Sequence, residues 1–287
     1  LRIKLSTEML IVLLHGALIN KILTLFPRCG GLSQSPINIV TNKVHFSSAL
    51  PPFSFIGHTD LINITVENKG HFASMLSVRL TGGALPGHYR AAQFHFHWGG
   101  SGTKGSEHTI DGERFPMELH IVHIKEPYSS LEEAEHDMAG IALLALFFEV
   151  THHSTARVSK VWAWGLKSKN TNGLNVLNII PAAAELHSYY RYVGSMTTPG
   201  CEQAVAWTVF HRIVSSFLSS APQLDAIVKQ CRFWTGQPMT NIFRPTQPLD
   251  GRVVYSSKSG AAQKRANQMW FVVLSALFMP MILIHII

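Results

Sequence analysis

Three histidines stand at spacings that would let them share one metal ion. His95 and His97 lie one residue apart within 93–98 (QFHFHW), and His120 lies within 117–123 (MELHIVH). Both runs are typical of strands, in which alternate side chains point to the same face. If the two strands are antiparallel neighbours, the three imidazoles can meet at one point. Three neutral histidines typically bind Zn²⁺ tetrahedrally and leave the fourth position open to water.

Each of these strands also carries an acceptor for the second nitrogen of a ligand ring. Gln93 lies two residues before His95, and Glu118 lies two residues before His120, each on the same face as its histidine. A ligating histidine needs its other ring nitrogen held by such an acceptor, which fixes the tautomer and the ring orientation. An isolated H-x-H pair is more often structural, so the two acceptors strengthen the prediction of a zinc site.

The elements that must position these residues are mostly short strands. With 287 residues and 46% hydrophobic content, the chain can build one large core. Alternating or apolar runs broken by Gly, Pro and Asn predict strands at 61–67, 75–80, 91–98, 117–124, 141–150 and 205–213. Helical patterns are brief and cover 131–136, 173–179, 181–185 and 216–228, of which the last is the best amphipathic candidate. The predicted fold class is mixed and β-dominated. It is a single domain around a large, mostly antiparallel, twisted sheet with short peripheral helices.

Composition and motifs exclude several classes of function. The net charge is +7, but Lys and Arg are scattered and form no basic block, so no nucleic-acid partner is predicted. The cysteines Cys29, Cys201 and Cys231 form no C-x-x-C pair, which argues against a cysteine zinc site or a thioredoxin motif. Their odd number leaves one thiol over in any pairing. No H-E-x-x-H motif supports an unrelated zinc hydrolase.

The amino-terminal end is typical of a secretory leader, although an atypical one. Basic residues precede the apolar run Met9–Ile19, whose eleven residues are too few to span a bilayer and suit a signal-peptide core. The alternative is a buried helix. We predict a leader over residues 1–28 and a folded domain over residues 29–257.

The carboxyl-terminal end is typical of a glycosylphosphatidylinositol (GPI) attachment signal. Small residues around Ser259 are followed by a polar spacer and by the apolar tail Trp270–Ile287. The alternative is a tail-anchored helix, for which the interruption by Pro280 is unfavourable. We predict a GPI signal over 258–287, attachment at Ser259 and a protein held in the outer leaflet at the extracellular face of the plasma membrane. In that compartment, Asn63 of Asn-Ile-Thr is a glycosylation acceptor.

Longer ordered motifs carry a resemblance to a known family. They are QSPINI at 34–39, NKGH at 68–71, QFHFHWG at 93–99, GSEHTIDGERFPMELHIVH at 105–123, GSMTTP at 194–199 and RPTQPL at 244–249. In these motifs the chain resembles the α-carbonic anhydrases, and most of all the membrane-anchored isozyme IV group. The resemblance implies that the three histidines bind Zn²⁺. It also implies reversible hydration of CO2 to bicarbonate and a proton by a zinc-bound hydroxide. Bicarbonate transporters are candidate partners.

The resemblance assigns roles to residues around the zinc. Thr197 would accept a hydrogen bond from the hydroxide and donate its own proton to Glu107, and Thr198 would lie where bicarbonate rests. His71 matches a proton-shuttle histidine, whose imidazole titrates near neutral pH. An apolar wall for CO2 is matched by Val122, Leu143, Met196, Val205 and Trp207.

Two further features follow from the same resemblance. Leu143 and Met196 stand where the family usually has Val and Leu, so the CO2 pocket could be narrower. Cys29 and Cys201 match a disulfide, which would leave Cys231 as the extra thiol. A catalytically weak or inactive binding module on the same fold is the alternative. Such modules typically lose zinc histidines, whereas this chain keeps all three together with Glu107 and Thr197.

Overall fold

The structure is a computed structural model that describes residues 25–58, 62–67, 71–72, 78–100, 102–150, 170–174, 180–218 and 239–259. Strands dominate these ranges, and the helical segments are short. The strands are β1 (Asn38–Ile39), β2 (His45–Phe46), β3 (Phe53–Ile56), β4 (Ile62–Glu67), β5 (His71–Phe72), β6 (Arg79–Gly82), β7 (Tyr89–Trp98), β8 (Thr109–Ile110), β9 (Glu113–Arg114), β10 (Met117–Lys125), β11 (Ile141–Val150), β12 (Asn170–Leu174), β13 (Tyr189–Gly194), β14 (Val205–Phe210), β15 (Val214–Leu218) and β16 (Tyr255–Ser256). The helical segments are the 3-10 turn Pro27–Gly30, helix α1 (Leu131–Ala134) and the 3-10 turn Ala183–Glu185.

One thirteen-stranded sheet contains most of the strands, in the order β12-β4-β5-β7-β10-β11-β14-β13-β16-β2. Strand β15 pairs with β11, and β6 joins β3 to β7. The central strands β7, β10 and β11 are antiparallel, whereas β11 pairs in parallel with β14 and β15, and β16 with β2. A small second sheet has the order β1-β8-β9. The prediction of a β-dominated, mostly antiparallel fold is confirmed.

The two faces of the central sheet bury different sets of side chains. On β7, Phe94 and Phe96 pack into one cluster, which also receives Leu119 and Ile121 from β10. The intervening residues of β10 face the other cluster, where Val122 is fully buried. Burying each large apolar side chain contributes roughly 1.5–3 kcal/mol, so the aromatic face fixes which way the histidines between these residues point.

A bulge in β7 changes the phase of this alternation just before the candidate metal ligands. Gln93 lies opposite Val122, but Ala91 lies opposite His123, so Ala92 is an extra residue on β7. An extra residue reverses the facing of every side chain beyond it. Bulges are common beside functional sites because they redirect side chains in this way.

Two of the helix predictions are wrong over the residues that the structure describes. Residues 216–218 belong to β15, and residues 173–174 belong to β12, which pairs with β4. Val214 is β-branched, which favours a strand, and the backbone groups of β15 form hydrogen bonds with β11. Strand pairing therefore overrides a weak helical pattern. The remainders of those two predictions, 219–228 and 175–179, lie outside the described residues.

The other element predictions agree more closely with the structure. Strand β11 has the predicted bounds, and β7 and β10 each extend slightly beyond theirs. The strand predicted at 205–213 ends at Phe210. The short helical patterns at 131–136 and 181–185 correspond to α1 and to the 3-10 turn Ala183–Glu185.

A disulfide ties the amino-terminal end of the described chain to a distant loop. Cys29 and Cys201 are bonded, with their Cα atoms 4.9 Å apart, and they are 172 positions apart in sequence. Phe26 packs against this bridge. The predicted pairing is confirmed, and Cys231 lies outside the described residues.

The predicted leader and anchor fall mainly outside the described ranges. Of residues 1–28, the structure describes only 25–28, and the carboxyl-terminal prediction is described only as far as Ser259. Within the described ranges, no helix is both long enough and apolar enough to cross a bilayer. Both terminal predictions, and the alternatives to them, stay predictions.

Candidate metal centre

The three predicted ligand histidines converge on one buried point. Strands β7 and β10 are antiparallel neighbours in which His95 lies directly opposite His120. The ring centroids of His95 and His97 are 5.1 Å apart, those of His95 and His120 5.3 Å, and those of His97 and His120 4.5 Å. One ring nitrogen from each residue lies within 4.8 Å of the others. This grouping is what a shared metal ion requires.

The protein fixes the tautomers of two of these rings. His97 donates from Nδ1 to the carbonyl oxygen of Ile242 at 2.7 Å, and His120 donates from Nε2 to Glu118 Oε1 at 2.7 Å. We assign the protons to these nitrogens because both partners can only accept. The opposite nitrogens, His97 Nε2 and His120 Nδ1, therefore carry lone pairs.

Those two lone-pair nitrogens are buried, and neither has a hydrogen-bond partner among the described residues. Burial lowers the pKa of His97 and outweighs the opposing effect of Glu107, while the nearby His120 lowers it further. A neutral imidazole is the form that binds a metal. The donor set therefore fits Zn²⁺, which takes histidine nitrogens at roughly 2.0–2.1 Å.

Glu118 is a buried carboxylate with all its main acceptor positions in use. Besides His120, its Oε1 accepts from His108 Nδ1 at 2.6 Å. Its Oε2 accepts the backbone N–H groups of Glu107 and His108, each at 2.8 Å. Burial by itself would raise the pKa of Glu118, but the neighbouring His108 and His120 and their hydrogen bonds hold it well below its usual value. The carboxylate that orients His120 is therefore ionised.

Sequence reasoning missed His108, which extends this network. Its ring lies between Glu118 and Tyr192, with Nε2 2.7 Å from the Tyr192 hydroxyl oxygen. The available signal was its position directly after Glu107, together with the several hydrogen bonds that a buried carboxylate needs.

Glu107 and Thr197 both lie on loops, and Glu107 is close to the histidines. Glu107 Oε1 accepts the backbone N–H of Arg244 at 2.7 Å. Glu107 Oε2 is 3.9 Å from His120 Nδ1 and has no hydrogen-bond partner in the part of the chain that is described. Thr197 is 6% exposed. The predicted hydrogen bond from Thr197 to Glu107 stays a prediction, for which Oε2 offers an open acceptor position.

Comparison with known proteins identifies the family. A family model for eukaryotic-type carbonic anhydrases matches residues 21–258. The chain belongs to this family. It is 36% identical to carbonic anhydrase 15 of Mus musculus over 268 residues, which cover 85% of this chain and 81% of that protein. It is 37% identical to carbonic anhydrase 4 of Oryctolagus cuniculus over 247 residues, covering 80% of this chain and 78% of that protein. It is also 33% identical to carbonic anhydrase 7 of Homo sapiens over 246 residues, covering 81% of this chain and 91% of that protein.

The side chains that are predicted to form the CO2 wall pack together, and one of them contacts a ligand histidine. Val122, Leu143 and Trp207 face one another across adjacent strands in a single row. The Trp207 ring is 4.8 Å from the His120 ring, and its Nε1 donates to the Ser195 carbonyl at 2.9 Å. All five residues predicted for the wall belong to one buried cluster, namely Val122, Leu143, Met196, Val205 and Trp207.

The remaining predicted residues are placed only in part. Gln93 is partly buried on β7, and its hydrogen bond to His95 stays a prediction. Thr198 is partly buried beside Thr197. For His71, the structure describes the backbone of β5, in which Phe72 lies opposite Phe94 of β7. For Asn63 it describes only the backbone of β4, so the shuttle and glycosylation roles stay predictions.

Proposed function

We propose that this carbonic anhydrase is an active zinc enzyme that reversibly hydrates CO2 to bicarbonate and a proton. The observation that carries the proposal is the convergence of three buried histidine nitrogens within 4.8 Å. Two of the rings are held in the tautomer that leaves the inward nitrogen without a proton. Membership of the family supports the same reaction.

The metal would be held by His95, His97 and His120. When bound, zinc supplies a Lewis acid that makes water a nucleophile near neutral pH. The task of Glu118 is to hold the His120 ring in position and to keep a proton on its Nε2, which raises the basicity of Nδ1. Since Glu118 is buried and fully hydrogen-bonded, it can do this without rearranging.

Thr197 and Glu107 would orient the nucleophile. If Glu107 Oε2 accepts the Thr197 hydroxyl proton, the hydroxyl oxygen can only accept a hydrogen bond from the water side. That arrangement favours a donor at this position and disfavours an anion that has no proton to give. Thr198, next along the loop, would contact bicarbonate.

The apolar wall would bind CO2 weakly. CO2 has no net dipole, so dispersion contacts with Val122, Leu143 and Trp207 suit it better than hydrogen bonds would. Weak binding also lets bicarbonate leave, and His71 is the proposed group that carries the released proton to solvent.

We place this activity at the extracellular face of the plasma membrane, with the chain held in the outer leaflet by a GPI anchor near Ser259. The support is the order of small residues, spacer and apolar tail at the end of the sequence, and the disulfide, which is typical of an oxidising compartment. Bicarbonate transporters are the proposed partners in that setting. Phosphatidylinositol-specific phospholipase C should release the protein from expressing cells, and full retention after treatment would contradict the anchor.

The decisive test is stopped-flow CO2 hydration with metal analysis on the purified full chain. The wild type should contain about one zinc per chain, and His95→Ala should lose both the zinc and at least about 99% of the activity. His45→Ala, which removes an exposed histidine from β2, is the matched control and should keep both. Zinc retention without hydration would favour the binding-module alternative, whereas full activity in His95→Ala would exclude the proposed site.

A further inference from the structure

One buried amide connects three chain segments around the metal centre. Gln34 is 2% exposed. Its Nε2 donates to the carbonyl oxygens of Arg28 at 3.0 Å and Cys201 at 3.4 Å, while its Oε1 accepts from Arg244 Nη1 at 2.9 Å. Carbonyls only accept and a guanidinium only donates, so these partners fix the orientation of the amide.

Arg244 carries this connection to Glu107. Its guanidinium is buried and also donates to the carbonyl oxygens of Ser35 at 2.8 Å and Cys29 at 3.2 Å. Its backbone N–H donates to Glu107 Oε1. The side-chain contacts of Arg244 therefore hold in place the backbone group that holds Glu107.

On the other side, Gln34 reaches the loop that carries Thr197. This loop is closed at its base, because the Met196 N–H donates to the Glu202 carbonyl and the Cys201 N–H to the Thr198 carbonyl. Cys201 has a φ of 51°, in the left-handed region that is unfavourable for a residue with a side chain. Contacts that hold the Cys201 carbonyl therefore restrain the whole closed loop.

We infer that Gln34 is a positioning residue that sets the Thr197 loop relative to Glu107. The inference rests on the proposed function, in which the hydroxyl of Thr197 and the carboxylate of Glu107 must meet. The disulfide provides a parallel link, since the Cys29 carbonyl oxygen accepts a hydrogen bond from Arg244 Nη2 at 3.2 Å. The amide is the more direct link, because one side chain contacts both the Cys201 carbonyl and the Arg244 guanidinium.

Two variants separate the halves of this link. Gln34→Leu removes the contacts on both sides with little change in size. Gln34→Glu keeps the acceptor for Arg244 but cannot donate to the carbonyls of Cys201 and Arg28, so it keeps the link to Arg244 and loses the link to the loop. The matched control is Gln247→Leu, since the Gln247 side chain donates to the nearby Pro245 carbonyl and is only partly buried.

Both Gln34 variants should lower kcat for CO2 hydration by about 10- to 100-fold, because small misplacements of reacting groups cost that much. The KM for CO2 and the zinc content should stay at the wild-type values. Nitrate inhibition should become tighter, since a Thr197 hydroxyl released from Glu107 can donate to an anion that has no proton. In the zinc-free protein, amides of residues 195–201 should exchange with deuterium faster in both variants and not in Gln247→Leu.

Several results would overturn the inference. Folded, zinc-loaded Gln34→Leu with wild-type kcat, nitrate inhibition and amide exchange would do so, as would equal effects in Gln247→Leu. If Gln34→Leu does not accumulate, Gln34→Glu carries the test, because it preserves a partner for the buried Arg244. If the wild type itself hydrates no CO2, the proposed function fails, whereas amide exchange in the loop still tests the role of Gln34.

Discussion

Two buried histidines on the aromatic side of the sheet should make the fold sensitive to acid. His123 has no exposed surface and His58 is 2% exposed, and their rings stack with centroids 6.5 Å apart. The Nε2 atoms of both have no hydrogen-bond partner among the described residues. Burial lowers the pKa of His58 to about 4, and burial together with the neighbouring His58 lowers the pKa of His123 to about 3.

The size of the effect follows from proton linkage. In the unfolded chain both imidazoles titrate near pH 6.5, so below that pH the unfolded state binds more protons than the folded state. The free energy of unfolding therefore falls as pH falls, by about 1.4 kcal/mol per pH unit for each residue. Between pH 6.5 and pH 4 the pair should lose about 6 kcal/mol of stability, which is comparable with the whole stability of a typical domain.

Urea unfolding followed by tryptophan fluorescence at several pH values between 7.5 and 4.5 measures this slope. Between about pH 6 and pH 5, the double variant His58→Gln/His123→Gln should show a slope that is shallower by about 2.8 kcal/mol per pH unit, whatever its stability at pH 7.5. His45→Gln, at an exposed histidine, should leave the slope unchanged. Equal slopes in the wild type and the double variant would refute the claim that these residues are held neutral by burial.

Three other changes test the site and its surroundings. Glu118→Gln should weaken zinc binding by about 10- to 100-fold, measured by chelator competition, because His120 loses its charged acceptor, whereas the exposed Glu113→Gln should have no effect. Reducing the Cys29–Cys201 bond in a Cys231→Ser background should lower the free energy of unfolding by about 5 kcal/mol, since the bridge closes a loop of 172 residues. Leu143→Val should raise kcat/KM severalfold at a cost of about 1 kcal/mol in stability. Leu144 packs in the aromatic cluster on the opposite face of β11, so Leu144→Val should lower stability by a similar amount and leave kcat/KM unchanged.

The metal site could be predicted from the sequence because its information is local. A period of two in QFHFHW and MELHIVH places apolar residues on one face and histidines on the other, and the aromatic core enforces that choice. The acceptor Glu118 lies on the same strand as the histidine that it holds. The bulge at Ala92 could not be foreseen, because it shows only in the pairing of β7 with β10.

The contacts that could not be predicted join residues far apart in sequence. Arg244 and Glu107 are 137 positions apart, and no local pattern indicates that a backbone N–H of one reaches the carboxylate of the other. The parallel pairing of β15 with β11 is of the same kind. The helix predicted to begin at residue 216 is wrong over 216–218, because a local pattern does not show that a distant strand pairs with these residues.

The residues that could be predicted from local patterns are held by strands, whereas those that depend on distant contacts are held on loops. The ligands and Glu118 lie on adjacent strands that are paired along their length except at the Ala92 bulge, and this pairing holds them rigidly. Thr197 and Glu107 lie on loops, whose backbones are not fixed by a ladder of hydrogen bonds. The buried disulfide, Gln34 and Arg244 all bind those loops. Loss of any one of them should therefore impair the orientation of the nucleophile while the three histidines still bind zinc. Variants of the loops should lose kcat and keep their zinc. Variants of the strands should lose both together.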